Sequence, residues 1–210
     1  QMGHEKVVEL LATAGAEINR ATNDGMTPLY VASQNGHREV VKYLAAVGAD
    51  INRDCKEGVT PIYIASELGH EKVVEYLAAL GAEVNRATNV GGTPLFIASH
   101  NGHDRVVENL TIAGAEINCS MNDGTTPLYL ASQNGHKKVV EHLVTAGAEV
   151  NRATNDGRTP LYIASQMGHE IIVDYLVTIG ADINSDTKMG GTPLFIACLM
   201  GHEKVVNYLA

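Results

Sequence analysis

The sequence predicts an all-α solenoid of stacked helix-turn-helix units, and three observations carry that prediction. Thr-Pro recurs at Thr27-Pro28, Thr60-Pro61, Thr93-Pro94, Thr126-Pro127, Thr159-Pro160 and Thr192-Pro193, each step being 33 residues. Gly-His recurs on the same period, from Gly3-His4 through Gly36-His37 to Gly201-His202, and an asparagine closes each unit at Asn19, Asn52, Asn85, Asn118, Asn151 and Asn184. Between these marks the apolar residues fall at helical spacing, and a fixed period of this length is the signature of a repeat architecture.

The elements of one unit follow in order. Thr27 is a good helix N-cap, and Pro28 takes the first helical position, where its missing N–H costs nothing and its fixed φ suits the helix. A short first helix runs through Leu29, Tyr30, Val31, Ala32 and Ser33 and stops at Gly36. The second helix, His37 to Val47, places Val40, Val41, Leu44 and Val47 on one stripe, with Arg38, Glu39 and Lys42 elsewhere. Gly48 ends it, and Asn23-Asp24-Gly25 is the kind of sequence that turns tightly before the next Thr-Pro. Helices this short do not bury a stripe alone, so neighbouring units must stack to share one elongated core.

The stretch 24–52, DGMTPLYVASQNGHREVVKYLAAVGADIN, closely resembles the ankyrin repeat, and the resemblance covers practically the whole chain. It implies a single ankyrin-repeat domain over 1–210, with right-angled, L-shaped repeats and β-turn or hairpin-like loops. A partial repeat at 1–18 precedes repeats at 19–51, 52–84, 85–117, 118–150 and 151–183, and an incomplete one follows at 184–210. One departure is systematic. Where the family usually has His after Thr-Pro-Leu, this chain has Tyr30, Tyr63, Phe96, Tyr129, Tyr162 and Phe195. That His ties adjacent turns by hydrogen bonds in the family, so its loss questions the usual network between repeats, and the ring is expected to supply packing instead. The resemblance also brings to mind the context that asparaginyl hydroxylases modify, around Leu44 and Asp50-Ile51-Asn52; the simpler expectation is that each Asn side chain bonds its own loop.

The chain opens on residues that align with the end of a first helix and closes inside a second helix, so it reads as a slice of a longer array. Val7, Val8 and Leu11 then lack a first-helix partner within their unit. Two readings remain: a frayed boundary, or uncapped terminal repeats that recruit a second copy by stacking or swapping.

Composition and motif content narrow the chemistry. Apolar residues make up 45% and charged residues 19%, and no apolar run approaches the ~18 residues of a spanning helix, so membrane insertion is not expected. A net charge of −9, with 15 basic against 24 acidic residues and no basic cluster, argues against nucleic acid. Cys55, Cys119 and Cys198 form no CxxC pair, which favours a reducing, cytoplasmic address. The Gly-His histidines sit one per unit, too far apart to share an ion, and His100 and His142 lack any ligand motif around them; no metal or cofactor is expected. Ser33, Ser66, Ser99, Ser132 and Ser165 share a core-facing place with Cys198 and have no nucleophile elbow. Catalysis needs one asymmetric cluster, whereas here nearly every polar residue is copied in each unit, so no enzyme is expected.

In the ankyrin family partners usually meet the concave side, formed by turn tips and exposed first-helix positions. Carried onto this chain, those positions include Met26, Gln34, Asn35, Glu67, Leu68, His100, Asn101, Gln133, Asn134, Arg158, Gln166, Met167, Met189, Leu199 and Met200. The second helices carry much of the acid, as Glu39, Glu71, Glu75 and Asp104 show, whereas the first helices carry only Glu67. The groove is therefore amide-rich and nearly neutral, turning apolar at Met167, Met189, Leu199 and Met200, which are expected either to contribute most to partner binding or to be buried by chain that follows Ala210. The function implied is a non-catalytic scaffold that binds a protein through this groove; the alternative is a structural spacer or self-associating segment of a larger ankyrin-repeat protein.

Overall fold

The computed structural model describes residues 6, 10 and 13–210, so the expectation about Val7, Val8 and Leu11 lies outside the described residues. Twelve short helices run through the rest. They are α1 (Pro28–Gln34), α2 (Arg38–Ala46), α3 (Pro61–Glu67), α4 (Glu71–Ala79), α5 (Pro94–Asn101) and α6 (Asp104–Ile112), then α7 (Pro127–Gln133), α8 (Lys137–Thr145), α9 (Pro160–Met167), α10 (Glu170–Thr178), α11 (Pro193–Met200) and α12 (Glu203–Leu209). The described residues contain no strand. The fold is the all-α, paired-helix repeat that the sequence predicts.

Each first helix is bounded as the Thr-Pro and Gly signals require. Thr27 Oγ1 accepts the Tyr30 N–H at 3.1 Å, and Thr159 Oγ1 accepts that of Tyr162 at 3.2 Å, with proline at the first helical position in both. At the other end Gly36 has φ +68°, which lets the His37 N–H turn back to the Ala32 carbonyl at 3.0 Å. Second helices bury a narrow stripe: Val40, Val41 and Leu44 in α2, and Ile172, Val173 and Leu176 in α10. Val47 departs from the predicted stripe. It is 41% exposed, because α2 ends at Ala46 and the capping residue turns outward.

The described chain falls into two compact units, one of residues 1–98 with 108–116, the other of 99–107 with 117–210. In the first, α1 packs on α2 and α3, α3 on α4, and α2 on α4. In the second, first helices pack in the order α7, α9, α11 and second helices in the order α8, α10, α12, with each pair also closed on itself. Leu29, Ile62 and Leu95 fill the interior of the first unit, and Leu128, Leu161, Leu143 and Leu176 that of the second, each 1% exposed or less. Within each unit these helices thus cover one another's apolar faces, and burial rests on adjacent pairs.

Successive pairs are also tied by hydrogen bonds, but through other residues than those expected. Asn19 Nδ2 donates to the Gly48 carbonyl at 3.2 Å, and its Oδ1 accepts the Asp50 N–H at 2.8 Å. Asn85 does the same to Gly114 and Glu116, and Asn118 to Gly147 and Glu149. The asparagine therefore bonds the exit of the following second helix rather than its own loop, because that stacked exit presents a carbonyl and an N–H at amide spacing. A second tie comes from the Gly-His position: Nε2 of His70, His169 and His202 donates to the carbonyl of Gln34, Gln133 and Gln166 respectively, at 2.9–3.0 Å. A third joins the tips through Lys56 N–H to the Asp24 carbonyl and Lys188 N–H to the Asp156 carbonyl, both 3.0 Å. The aromatic that replaces the family's His thus leaves neighbouring turns bonded.

Candidate protein-interaction surface

The stack consumes one face of each first helix and leaves the residue at its C-terminal end, the last helical residue or the C-cap, in solvent. Asn35, Leu68, Asn101, Asn134, Met167 and Met200 occupy that place in the six pairs, and all six are exposed. The residue before it is more constrained. Gln34, Glu67, Gln133 and Gln166 are half-buried, whereas His100 and Leu199 are exposed. Their backbone is held by the histidine of the next pair, since His70, His136, His169 and His202 hold the carbonyls of Gln34, His100, Gln133 and Gln166. The repeated histidine is therefore a positioning device: it fixes the end of the preceding first helix and with it the outward aim of two side chains.

In the first unit the candidate residues are Met26, Gln34, Asn35, Glu67 and Leu68. Met26 is half-buried against Tyr30, Cys55 and Ile64, alongside Val59, so it serves a small cluster beneath the tips as well as the surface. Burial, with Cys55, Glu67 and Glu57 nearby, pushes the Tyr30 phenol up to about 12. Cys55 is buried, its thiol 2.9 Å from Glu57 Oε2. Leu68 is 46% exposed.

The second unit holds the rest. Asn134 Nδ2 reaches both the carbonyl and Nδ1 of His100, at 3.1 and 3.2 Å, so these two polar side chains form one bonded patch beside Asn101 and Gln133. Arg158 at its tip pairs with Asp156 at 3.0 Å and hydrogen-bonds the Tyr129 hydroxyl. A 2.6 Å hydrogen bond from Thr154, with the charges of Arg158 and Lys188 close by, holds the Asp156 carboxyl below the usual carboxylate range. Burial raises the Tyr129 phenol and Arg158 opposes that rise. Met167 and Met200 face solvent on successive helix ends, while Arg158, Met189 and Leu199 line one groove of ≈ 370 Å³ with Lys188, Tyr162 and Phe195.

Phe195 and Tyr162 are the residues that sequence reasoning did not place there. The aromatic position was read as packing, and Tyr30, Tyr129 and Tyr162 are indeed buried, but Phe195 is 57% exposed. The available signal was Gly191, which puts no side chain where Arg158 stands one pair earlier. Cys198 also differs from its core-facing expectation: it is exposed, on a helix that packs against a single first helix, α9, among the described residues.

Nothing at this surface assembles catalytic chemistry from the repeated serines. Ser33, Ser66, Ser99, Ser132 and Ser165 are fully buried, and the hydroxyls of Ser66 and Ser165 donate to the carbonyls of Ile62 and Leu161 at 2.7 Å. Among the described residues no group of three His, Cys, Asp or Glu is placed to hold a metal ion, and no helix is long and apolar enough to cross a membrane. His142 is half-buried, its Nδ1 3.4 Å from the Asp104 carbonyl oxygen.

Compared with known protein families, the sequence matches Ankyrin repeats in three copies, over residues 1–88, 85–154 and 151–210. Comparison with the curated proteins returns no match.

Proposed function

Because the chain belongs to the ankyrin-repeat family, whose domains commonly mediate protein–protein interactions, we propose that it is a non-catalytic module that holds a protein partner on its turn tips and first-helix ends. The observation that supports this reading is the residue at the end of each first helix, exposed in every pair of both units. Among these residues, Met167 and Met200 place flexible, polarisable side chains in water at 45% and 50% exposure, beside Leu199 at 67%. Adaptable methionines in water suit a docking surface. The backbone beneath is pinned by capping and histidine hydrogen bonds, so docking orders few new groups and loses little entropy.

The test is a variant with Met167, Leu199 and Met200 all changed to Ser. Its far-UV circular dichroism and unfolding midpoint should stay close to those of the parent, since solvent-facing substitutions alter stability by less than about 0.5 kcal/mol each. Its affinity for a protein captured by the parent chain and confirmed in purified form should fall by about tenfold or more, as expected when exposed apolar anchors are removed. Unchanged affinity with the fold intact rejects the reading.

A further inference from the structure

Arg158 supplies a template for what the first unit lacks. Its side chain hydrogen-bonds the Tyr129 hydroxyl and pairs with Asp156 at 3.0 Å, so in the second unit a cation of the chain itself fills the recess over that phenol. Two periods earlier the equivalent place is Gly92, with Tyr63 standing for Tyr129, Thr88 for Thr154 and Phe96 for Tyr162. Gly92 lies outside the left-handed region of φ. A Cβ there would stand 3.4 Å from the Tyr63 hydroxyl, 3.7 Å from Thr88 Oγ1 and 3.8 Å from the Phe96 ring, all ordinary contact distances. A side chain fits this recess, and the chain does not provide one.

The Thr88 hydroxyl marks what is missing. Thr154 Oγ1 donates to Asp156 at 2.6 Å and accepts the Arg158 N–H at 3.2 Å, while Thr22 and Thr187, in the same column, accept the N–H of Met26 and of Gly191. Thr88 is 8% exposed, yet its Oγ1 has no hydrogen-bond partner among the described residues. A buried hydroxyl without a partner, aimed into a recess, is an anomaly that an arriving donor removes.

The recess keeps the acid of its template without the cation. Glu57 takes the place of Asp123, Glu67 replaces the neutral Gln133, and Val90, 72% exposed, replaces Asp156. Burial, with the Glu67 charge close by, pushes the Tyr63 phenol up, whereas at Tyr129 the Arg158 charge opposes the same rise. Lys56, on the tip that carries Glu57, pairs with Asp24 at 3.9 Å. A partner's cation is therefore drawn to a place shaped like one the chain fills for itself two periods on.

We propose that the Gly92 recess binds an arginine side chain of a partner protein, whose guanidinium donates to the Tyr63 hydroxyl and Thr88 Oγ1 and pairs with Glu67. The guanidinium lies against the Phe96 ring, and apolar residues beside the arginine pack on Val90. Arginine suits the site better than lysine, because its planar fork of donors serves several acceptors at once and stacks on aromatic faces. The inference rests on the protein-interaction reading and gives it a ligand chemistry.

Two capped tripeptides test it, acetyl-Leu-Arg-Leu-amide and its neutral citrulline isostere, titrated against the whole chain and followed by the backbone amide resonances of residues 88–96. The Arg peptide is expected to bind about tenfold more tightly than the citrulline peptide, as for hydrogen bonds to a charged group. Glu67→Gln, which copies Gln133, should fold and erase most of that preference. Gly92→Arg, which copies Arg158, should abolish binding of both peptides and raise the unfolding midpoint above that of Gly92→Ala. Equal affinity for the two peptides overturns the arginine assignment. So do binding of neither, resonance shifts confined to other residues, a preference that survives Glu67→Gln, or a Gly92→Arg protein no more stable than Gly92→Ala. The Met167, Leu199 and Met200 variant lies in the other unit and tests the broader reading separately.

Discussion

Leu161→Ala is expected to destabilise the protein by about 2–5 kcal/mol, whereas Met167→Ala, six residues along the same helix, should cost less than about 0.5 kcal/mol. Leu161 is 1% exposed in the interior of α9, which packs on both α7 and α11, so its loss leaves a cavity that two neighbours share. Met167 is 45% exposed at the end of that helix. Urea unfolding followed by far-UV circular dichroism measures both. Comparable losses at the two positions would mean that the exposed column takes part in the stack, and the assignment of that column to partner binding would fall with it.

The second large effect concerns the glycine at the end of each first helix. Gly36 has φ +68°, and a Cβ there would stand 2.6 Å from Nδ1 of His70, inside contact distance. Gly48, in the same unit, has φ +95° and nothing within 4 Å of its would-be Cβ. Gly48→Ala therefore pays only for the left-handed backbone, about 1–2 kcal/mol. Gly36→Ala adds a collision with the ring that holds the Gln34 carbonyl, and is expected to lose at least about 1 kcal/mol more, since the ring must shift and stretch that hydrogen bond. Adding His70→Ala removes the collision, so a double-mutant cycle should show strong coupling between Gly36 and His70. Equal effects of the two glycine substitutions, with no coupling, would show that the ring does not pack as described.

Much of this was legible in the sequence because it is written locally and repeated. Thr27-Pro28 and Gly36 set helix ends by capping and by backbone conformation, which depend on near neighbours along the chain. Val40, Val41 and Leu44 reveal a buried stripe through spacing alone. What the sequence hid is what depends on the neighbouring pair. The side-chain amide of Asn19 has a donor and an acceptor that suit its own loop, and only the stacked exit at Gly48 and Asp50 shows where they go. The histidine of Gly-His reads as a helix boundary, yet its Nε2 bridges to a carbonyl 36 residues earlier.

The candidate surface divides in the same way. Exposure of Asn35, Leu68, Met167 and Met200 follows from their register at the helix end. The groove beside Gly191 does not follow from register. It arises where one unit omits a side chain that the previous unit uses to satisfy a tyrosine, so the signal is a difference between copies, and a reading tuned to their sameness passes over it.

The account stands on the claim that helix pairs are equivalent layers, each stabilised by its neighbours. Excising residues 151–183, one whole period, joins Val150 to Asn184 and so restores the Asn-initiated unit at the junction. Equivalent layers predict a shortened protein with unchanged helical signal per residue and one cooperative unfolding transition at a lower midpoint, as loss of one neighbour interface requires. A shortened chain that loses its helical signal or unfolds without cooperativity would contradict the claim.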